Sequence, residues 1–151
     1  MIKIICVGSI KENYLQDALN EYTKRLQKYT KLEIIEVKDI DYPDLNKCLT
    51  LEGAEILKHL NPKDYNIILD IKGEELDSLS FAKKLSSINN FNSNITFIIG
   101  GSNGLSNDVK EKANYRLSFS SLTFPHQLFR VMLLEQIYRA YKINNHETYH
   151  K

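Results

Sequence analysis

Five short apolar runs, rich in β-branched residues and separated by stretches of helical periodicity, constrain this chain more than any other feature. They are Ile2 to Val7, Leu32 to Val37, Asn66 to Ile71, Ile95 to Ile99 and the weaker Arg116 to Phe119. Ile67-Ile68-Leu69 and Phe97-Ile98-Ile99 are continuously apolar rather than alternating. That pattern belongs to strands covered on both faces, as in a parallel sheet between helices. In the first gap Leu15, Ala18, Leu19, Tyr22, Leu26 and Tyr29 keep spacings of three, four and seven, an amphipathic helical stripe. Cys48 to Leu60 reads as a second helix with Leu51, Ala54, Leu57 and Leu60 inward, ended by Asn61 as C-cap and by Pro62. Phe81, Leu85 and Ile88 define a third helix that stops at Asn89-Asn90, and Ser106 is an N-cap for a short fourth through Val109 and Ala113. The last runs from Pro125, suited to a first helical position, to about Ile143. Strands alternating with helices predict an α/β fold, a mostly parallel sheet flanked by helices with right-handed crossovers. With 151 residues and no repeat or long linker, the expectation is a single domain over 1–151.

Charge narrows the function. Twenty Lys and Arg against nineteen Asp and Glu leave a net charge of +1, which argues against gripping nucleic acid through bulk charge and leaves a local basic surface open. No apolar run approaches the ~20 residues that span a bilayer, and the N-terminus lacks the features of a signal peptide. The expected localisation is cytoplasmic, with no membrane association. Cys6 and Cys48 form no C-x-x-C, and Cys6 sits in a strand, which suits a reduced structural thiol.

In open α/β sheets ligands lie beyond the carboxyl ends of the strands. Three segments leave such ends: Asp70-Ile71-Lys72-Gly73-Glu74, Gly100-Gly101-Ser102-Asn103-Gly104-Leu105, and Ser118 through His126. The glycine loop is neither a dinucleotide fingerprint, since its first two glycines are adjacent, nor a P-loop, since no G-K-[ST] follows. It permits close backbone approach and positive φ, which a plain tight turn also requires. The helix after Pro125 is apolar nearly all round at Val131 to Leu134, interrupted by Arg130, Glu135 and Arg139. Such a helix is a core element or packs on a partner chain, and its charges need partners if buried. Glu135 and Arg139 are spaced as a favourable i,i+4 pair. No metal-ligand spacing appears among His126, His146 and His150, so no metal is expected. Composition alone makes the terminal Tyr149-His150-Lys151 a frayed, solvated end.

Several motifs in fixed order resemble a known family. They are Phe97-Ile98-Ile99-Gly100-Gly101-Ser102-Asn103-Gly104-Leu105; Leu122-Thr123-Phe124-Pro125-His126-Gln127 with Arg130-Val131; Glu135-Gln136-Ile137-Tyr138-Arg139-Ala140; and Tyr149-His150-Lys151. Together with Ile4-Ile5-Cys6-Val7-Gly8, Glu52-Gly53 and Leu69-Asp70-Ile71-Lys72-Gly73, they are similar to the ribosomal RNA large subunit methyltransferase H family, the pseudouridine N3-methyltransferases of the SPOUT superfamily. The resemblance covers essentially the whole chain. Departures lie in the tail: Thr148 where the family often has proline or alanine, and His146 where a glycine or small polar residue is common.

The resemblance implies a C-terminal trefoil knot, a feature that fold rules disfavour, and a homodimer whose sites are completed by the partner. It implies S-adenosylmethionine as methyl donor, carried by Leu69, Gly100, Phe119, Ser120, Ser121, Leu122, Thr123 and Phe124. The implied reaction is N3-methylation of a pseudouridine in a stem-loop of large-subunit (23S) ribosomal RNA within the assembled 70S ribosome. Tyr149 and His150 are the candidates for handling the proton or orienting the base. Arg139 is either a contact to RNA or the structural partner of Glu135. Two other classes compete: a non-catalytic ribosome-binding module of the same fold, and another nucleotide-binding α/β domain. The latter wants a phosphate-binding first loop, but Val7-Gly8-Ser9-Ile10-Lys11 holds one glycine.

Overall fold

The computed structural model describes residues 1–151. Ten elements alternate along it: β1 (Ile2–Val7), α1 (Asn13–Leu26), β2 (Leu32–Val37), α2 (Leu45–His59), β3 (Tyr65–Glu75), α3 (Ser78–Asn89), β4 (Ile95–Ile99), α4 (Asn107–Glu111), β5 (Tyr115–Ser118) and α5 (His126–Asn144). The strands form one sheet in the order β2-β1-β4-β3-β5. Every pairing is parallel; Ile4 lies between Ile34 and Phe97, and Ile67 between Phe97 and Tyr115. The parallel α/β fold expected from the apolar runs is therefore present.

Alternate side chains of each strand go to opposite faces. Ile2, Ile4 and Cys6 pack with Leu19 of α1, Leu85 of α3 and Leu134 of α5. Ile5, Val7, Ile68 and Ile98 pack with Ile56 of α2 and Val109 of α4. Connections running toward the β2 edge carry their helices on the first face, and connections running toward the β5 edge carry theirs on the second. One handedness of crossover produces that alternation. Burial pushes the Cys6 thiol up to about 12 despite the nearby Arg130, which keeps it an unreactive packing group.

Five expectations need adjustment. Helix α2 begins at Leu45, because Asp44 caps it by accepting from the Asn46 and Lys47 amides at 3.0 and 3.3 Å. It ends with Leu60 in an extended conformation, so Asn61 is not its cap. Its buried line is Cys48, Glu52, Gly53 and Ile56, while Leu51 is 38% exposed and Ala54 faces solvent. The helix is rotated because a carboxylate goes inward: Glu52 accepts from the Ile40 amide at 3.0 Å. Desolvation raises its pKa above the usual carboxylate range, with the Ile40 hydrogen bond opposing. Strand β3 runs on to Glu75 through a bulge between Leu69 and Glu74. There a Cβ on Gly73 would fall 2.7 Å from the Arg116 carbonyl. Pro125 is the residue before α5 rather than its first turn.

Candidate cofactor cleft and tail network

The carboxyl ends of β3, β4 and β5 open onto a cleft of about 600 Å³, within the usual size for a small-molecule site. Leu69 forms one wall, and Gly100 lies at the exit of β4. The segment after β5 supplies Phe119, Ser120, Leu122, Thr123 and Phe124. Seven of the eight residues carried over from the family resemblance thus meet at one cleft. Ser121 is the exception: its hydroxyl donates to Glu75 at 3.3 Å.

Local structure explains the shape. Gly101 and Gly104 close a turn through a 3.1 Å bond from the Gly104 amide to the Gly101 carbonyl, with Gly104 at φ +81°. A Cβ on Gly100 would drive into the Gly104 carbonyl and lie 2.6 Å from its carbon. Gly100 is thus required by the loop's own closure. Aromatic packing fixes the opposite wall. The Phe129 ring of α5 meets Phe119 edge-on at 4.7 Å and stacks on Phe124 at 6.1 Å. Leu122 stands 71% exposed at the mouth.

Sequence reasoning did not single out two polar lining groups. Asp70 lies in the cleft with its Oδ2 buried and without a hydrogen-bond partner, 3.7 Å from Lys110 Nζ. His126 lines the same cleft and comes against Gly8. Only the position of Asp70 at a strand's carboxyl end pointed to it.

The three residues proposed for chemistry also converge, around Glu135. Arg139 donates to Glu135 through Nε at 3.1 Å and Nη2 at 2.6 Å, and the Tyr149 hydroxyl donates to Oε1 of that carboxylate at 3.0 Å. Arg139 Nη1 lies 3.1 Å from His150 Nδ1, and its guanidinium covers the Tyr149 ring at 4.8 Å. Arg139 is therefore the partner of Glu135. His150, Glu135 and Gln136 line a second cavity of about 670 Å³ that shares Leu117, Phe119 and Phe124 with the first. Burial first, and the Glu135 carboxylate second, push the Tyr149 phenol up to about 12.

The tail is held where composition predicts fraying. Glu147 accepts from Lys142 at 2.7 Å, Lys28 at 3.3 Å and Tyr29 at 2.9 Å. Led by Lys142, these partners lower its pKa to about 2. The turn after α5 has amide bonds from His146 to Ile143 and from Glu147 to Lys142, the paired pattern of a Schellman cap. His146 sits at its left-handed position, φ +55°, the site where the resembled family often has glycine. A Cβ is strained there. His146→Gly will raise unfolding stability by about 0.5–1 kcal/mol, read from urea denaturation.

Comparison with known proteins bears on the family and the fold. A family model described as "Predicted SPOUT methyltransferase" matches residues 1–150. The chain is 52% identical over 157 residues to a ribosomal RNA large subunit methyltransferase H of Clostridium botulinum, covering 99% of both chains. It is 47% identical over 154 residues to one from Caldicellulosiruptor saccharolyticus, covering 100% of both. Among solved structures, a tRNA (m1G37) methyltransferase from Aquifex aeolicus superposes with a TM-score of 0.55 at 14% identity. The match covers 91% of this chain and 69% of that one, and at this identity it speaks for the fold.

Proposed function

Because the chain belongs to the SPOUT methyltransferase family, we propose that it methylates N3 of a pseudouridine in a stem-loop of large-subunit ribosomal RNA. S-Adenosylmethionine is the donor, and the enzyme works as a cytoplasmic homodimer on the assembled ribosome. Residues 1–151 act as one domain, with the C-terminal part threaded as a trefoil knot. No helix is long and apolar enough to cross a membrane.

The observation that carries this reading is the cleft itself: apolar and aromatic walls interleaved with the polar residues Ser102, Ser120 and Thr123. That donor set fits S-adenosylmethionine, which has an aromatic plate, hydroxyls and cationic groups. When bound, it supplies an electrophilic methyl on a sulfonium. Leu69 and the phenylalanine wall would hold the adenine, and Gly100 would keep its loop out of the cleft. The tail network would orient the target base across the shared Phe119 and Phe124 wall. Such orientation can lower a barrier by about 7 kcal/mol or more. Bases of an RNA loop can be splayed from the stack for this purpose. The near-neutral charge fits a substrate recognised as part of a ribosome rather than by phosphate contacts alone.

The test is methyl transfer from labelled donor to 70S ribosomes, free subunits and naked RNA. Transfer to assembled ribosomes, mapped to a pseudouridine, supports the proposal, and absence of transfer there rejects it. Deletion of Thr148 to Lys151 will leave donor affinity within about twofold, because the cleft contains none of those residues, yet lower transfer at least ~100-fold. Unchanged transfer removes Tyr149 and His150 from the mechanism.

A further inference from the structure

We propose that His150 serves methyl transfer as a hydrogen-bond donor through Nε2, and that neither His150 nor Tyr149 accepts the proton of the substrate nitrogen. The inference rests on the rRNA-methylation reading above and assigns the roles within its tail network.

The geometry around Arg139 carries it. A guanidinium has five N–H groups and no lone pair to offer. Its 3.1 Å contact to His150 Nδ1 is a hydrogen bond only if Nδ1 bears the lone pair. The neutral ring then carries its single proton on Nε2, so Nε2 has nothing with which to accept another. Arg139 cannot easily turn away, because Nε and Nη2 are both committed to Glu135. Asp77, the N-cap of α3, lines the same cavity as His150, and its carboxylate accepts from the Ser80 amide at 2.7 Å.

Tyr149 is closed to base chemistry for a different reason. Its hydroxyl proton points at Glu135 Oε1, 3.0 Å away, and with its pKa raised to about 12 the phenol stays protonated at neutral pH. Glu135 is saturated by Arg139, Tyr149 and Gln136.

A donor is also what the reaction needs. N3 of the base lies between two carbonyls, and removal of its proton spreads negative charge onto both oxygens. A fixed N–H beside one of those oxygens stabilises the anion more than the neutral base. The proton passes to solvent hydroxide, giving water, before transfer. The bonding pair left on N3 forms the new N–CH3 bond, and the pair of the broken S–CH3 bond stays on sulfur, leaving a neutral thioether. His150 lines the cavity that adjoins the cofactor cleft. Because Arg139, Glu135 and Tyr149 come from the same protomer, the tautomer is set within one chain.

Two experiments decide it. In the full chain without ligand, nitrogen-15 NMR of the imidazoles will show His150 protonated at Nε2 and bare at Nδ1; the opposite tautomer overturns the proposal. In single-turnover transfer to ribosomes, His150→Gln keeps an N–H near the Nε2 position but offers no basic nitrogen. It will remain within about tenfold of wild type while His150→Ala falls at least ~100-fold. A glutamine variant as inactive as the alanine variant overturns the donor role. If the wild-type protein methylates no ribosome, the function reading fails, and the NMR result still decides the tautomer.

Discussion

Gly100→Ala will weaken S-adenosylmethionine binding at least ~100-fold in calorimetric titration, a loss of about 2.7 kcal/mol. The cause is backbone against backbone. The added methyl would run into the Gly104 carbonyl, 2.6 Å from its carbon, and neither partner is a flexible side chain that can move aside. Relief requires the turn from Gly100 to Gly104 to shift, and that turn forms one edge of the cleft. Leu105, just beyond it, is buried against Val7 and Ile98, so the displacement goes outward, into the ligand's space. Gly104→Ala is the control: its Cβ meets nothing within 4 Å, although φ is +81°. It will lose about 1 kcal/mol of stability from backbone strain and retain far more affinity than Gly100→Ala. Full donor affinity in Gly100→Ala would place the cofactor elsewhere in the molecule.

Arg130→Ala will destabilise the fold by about 3 kcal/mol, lowering Tm by roughly 10 °C. Arg130 is fully buried on α5 and donates through Nη2 to the Gly8 carbonyl at 2.9 Å. Its Nη1 is 3.6 Å from Glu36, and neither Nη1 nor Nε has a hydrogen-bond partner. Removing it empties a large volume between α5 and the exit of β1. The guanidinium's own net contribution is small, because two of its buried nitrogens make no hydrogen bond. Arg130→Met keeps much of the volume without the charge and will unfold within about 1 kcal/mol of wild type. Equal losses in both variants, measured by thermal and urea unfolding, would show that the charge rather than the packing holds this junction.

Legibility in the sequence follows how local each determinant is. Strands β1, β2 and β4 fall on their expected boundaries, because a strand covered on both faces leaves an unbroken apolar run. The Ser106 cap holds, with its hydroxyl accepting from the Val109 amide at 3.4 Å. Periodicity points to the wrong face of α2 because it counts Glu52 as outward and Leu51 as inward. The Ile40 amide that accommodates Glu52 lies on the preceding loop. The tail escapes composition for the same reason, since Lys28, Tyr29 and Lys142 gather around Glu147 only in the folded chain.

The cleft divides along the same line. Strand ends and the glycine loop were visible as places where ligands gather, and family resemblance pointed to seven residues that line one cavity. The Glu135–Arg139 pair was visible as an i,i+4 spacing, but the approach of Lys110 to Asp70, the Phe129 ring that joins Phe119 to Phe124, and the gathering of Tyr149 and His150 on that pair were not.

From its order of residues alone this chain determined an alternation of buried strands and amphipathic helices, and with it a parallel sheet whose carboxyl edge is the place for a ligand. Backbone pairing and apolar burial repeat every few residues, so local spacing is enough to reveal them. Only the tertiary structure decided which buried polar atoms are satisfied and which are left without a hydrogen bond. Arg130 meets a carbonyl 122 positions away, and Tyr29 meets a carboxylate 118 positions away. Hydrogen bonds are short and directional, so such partnerships exist only once the sheet has brought distant segments together.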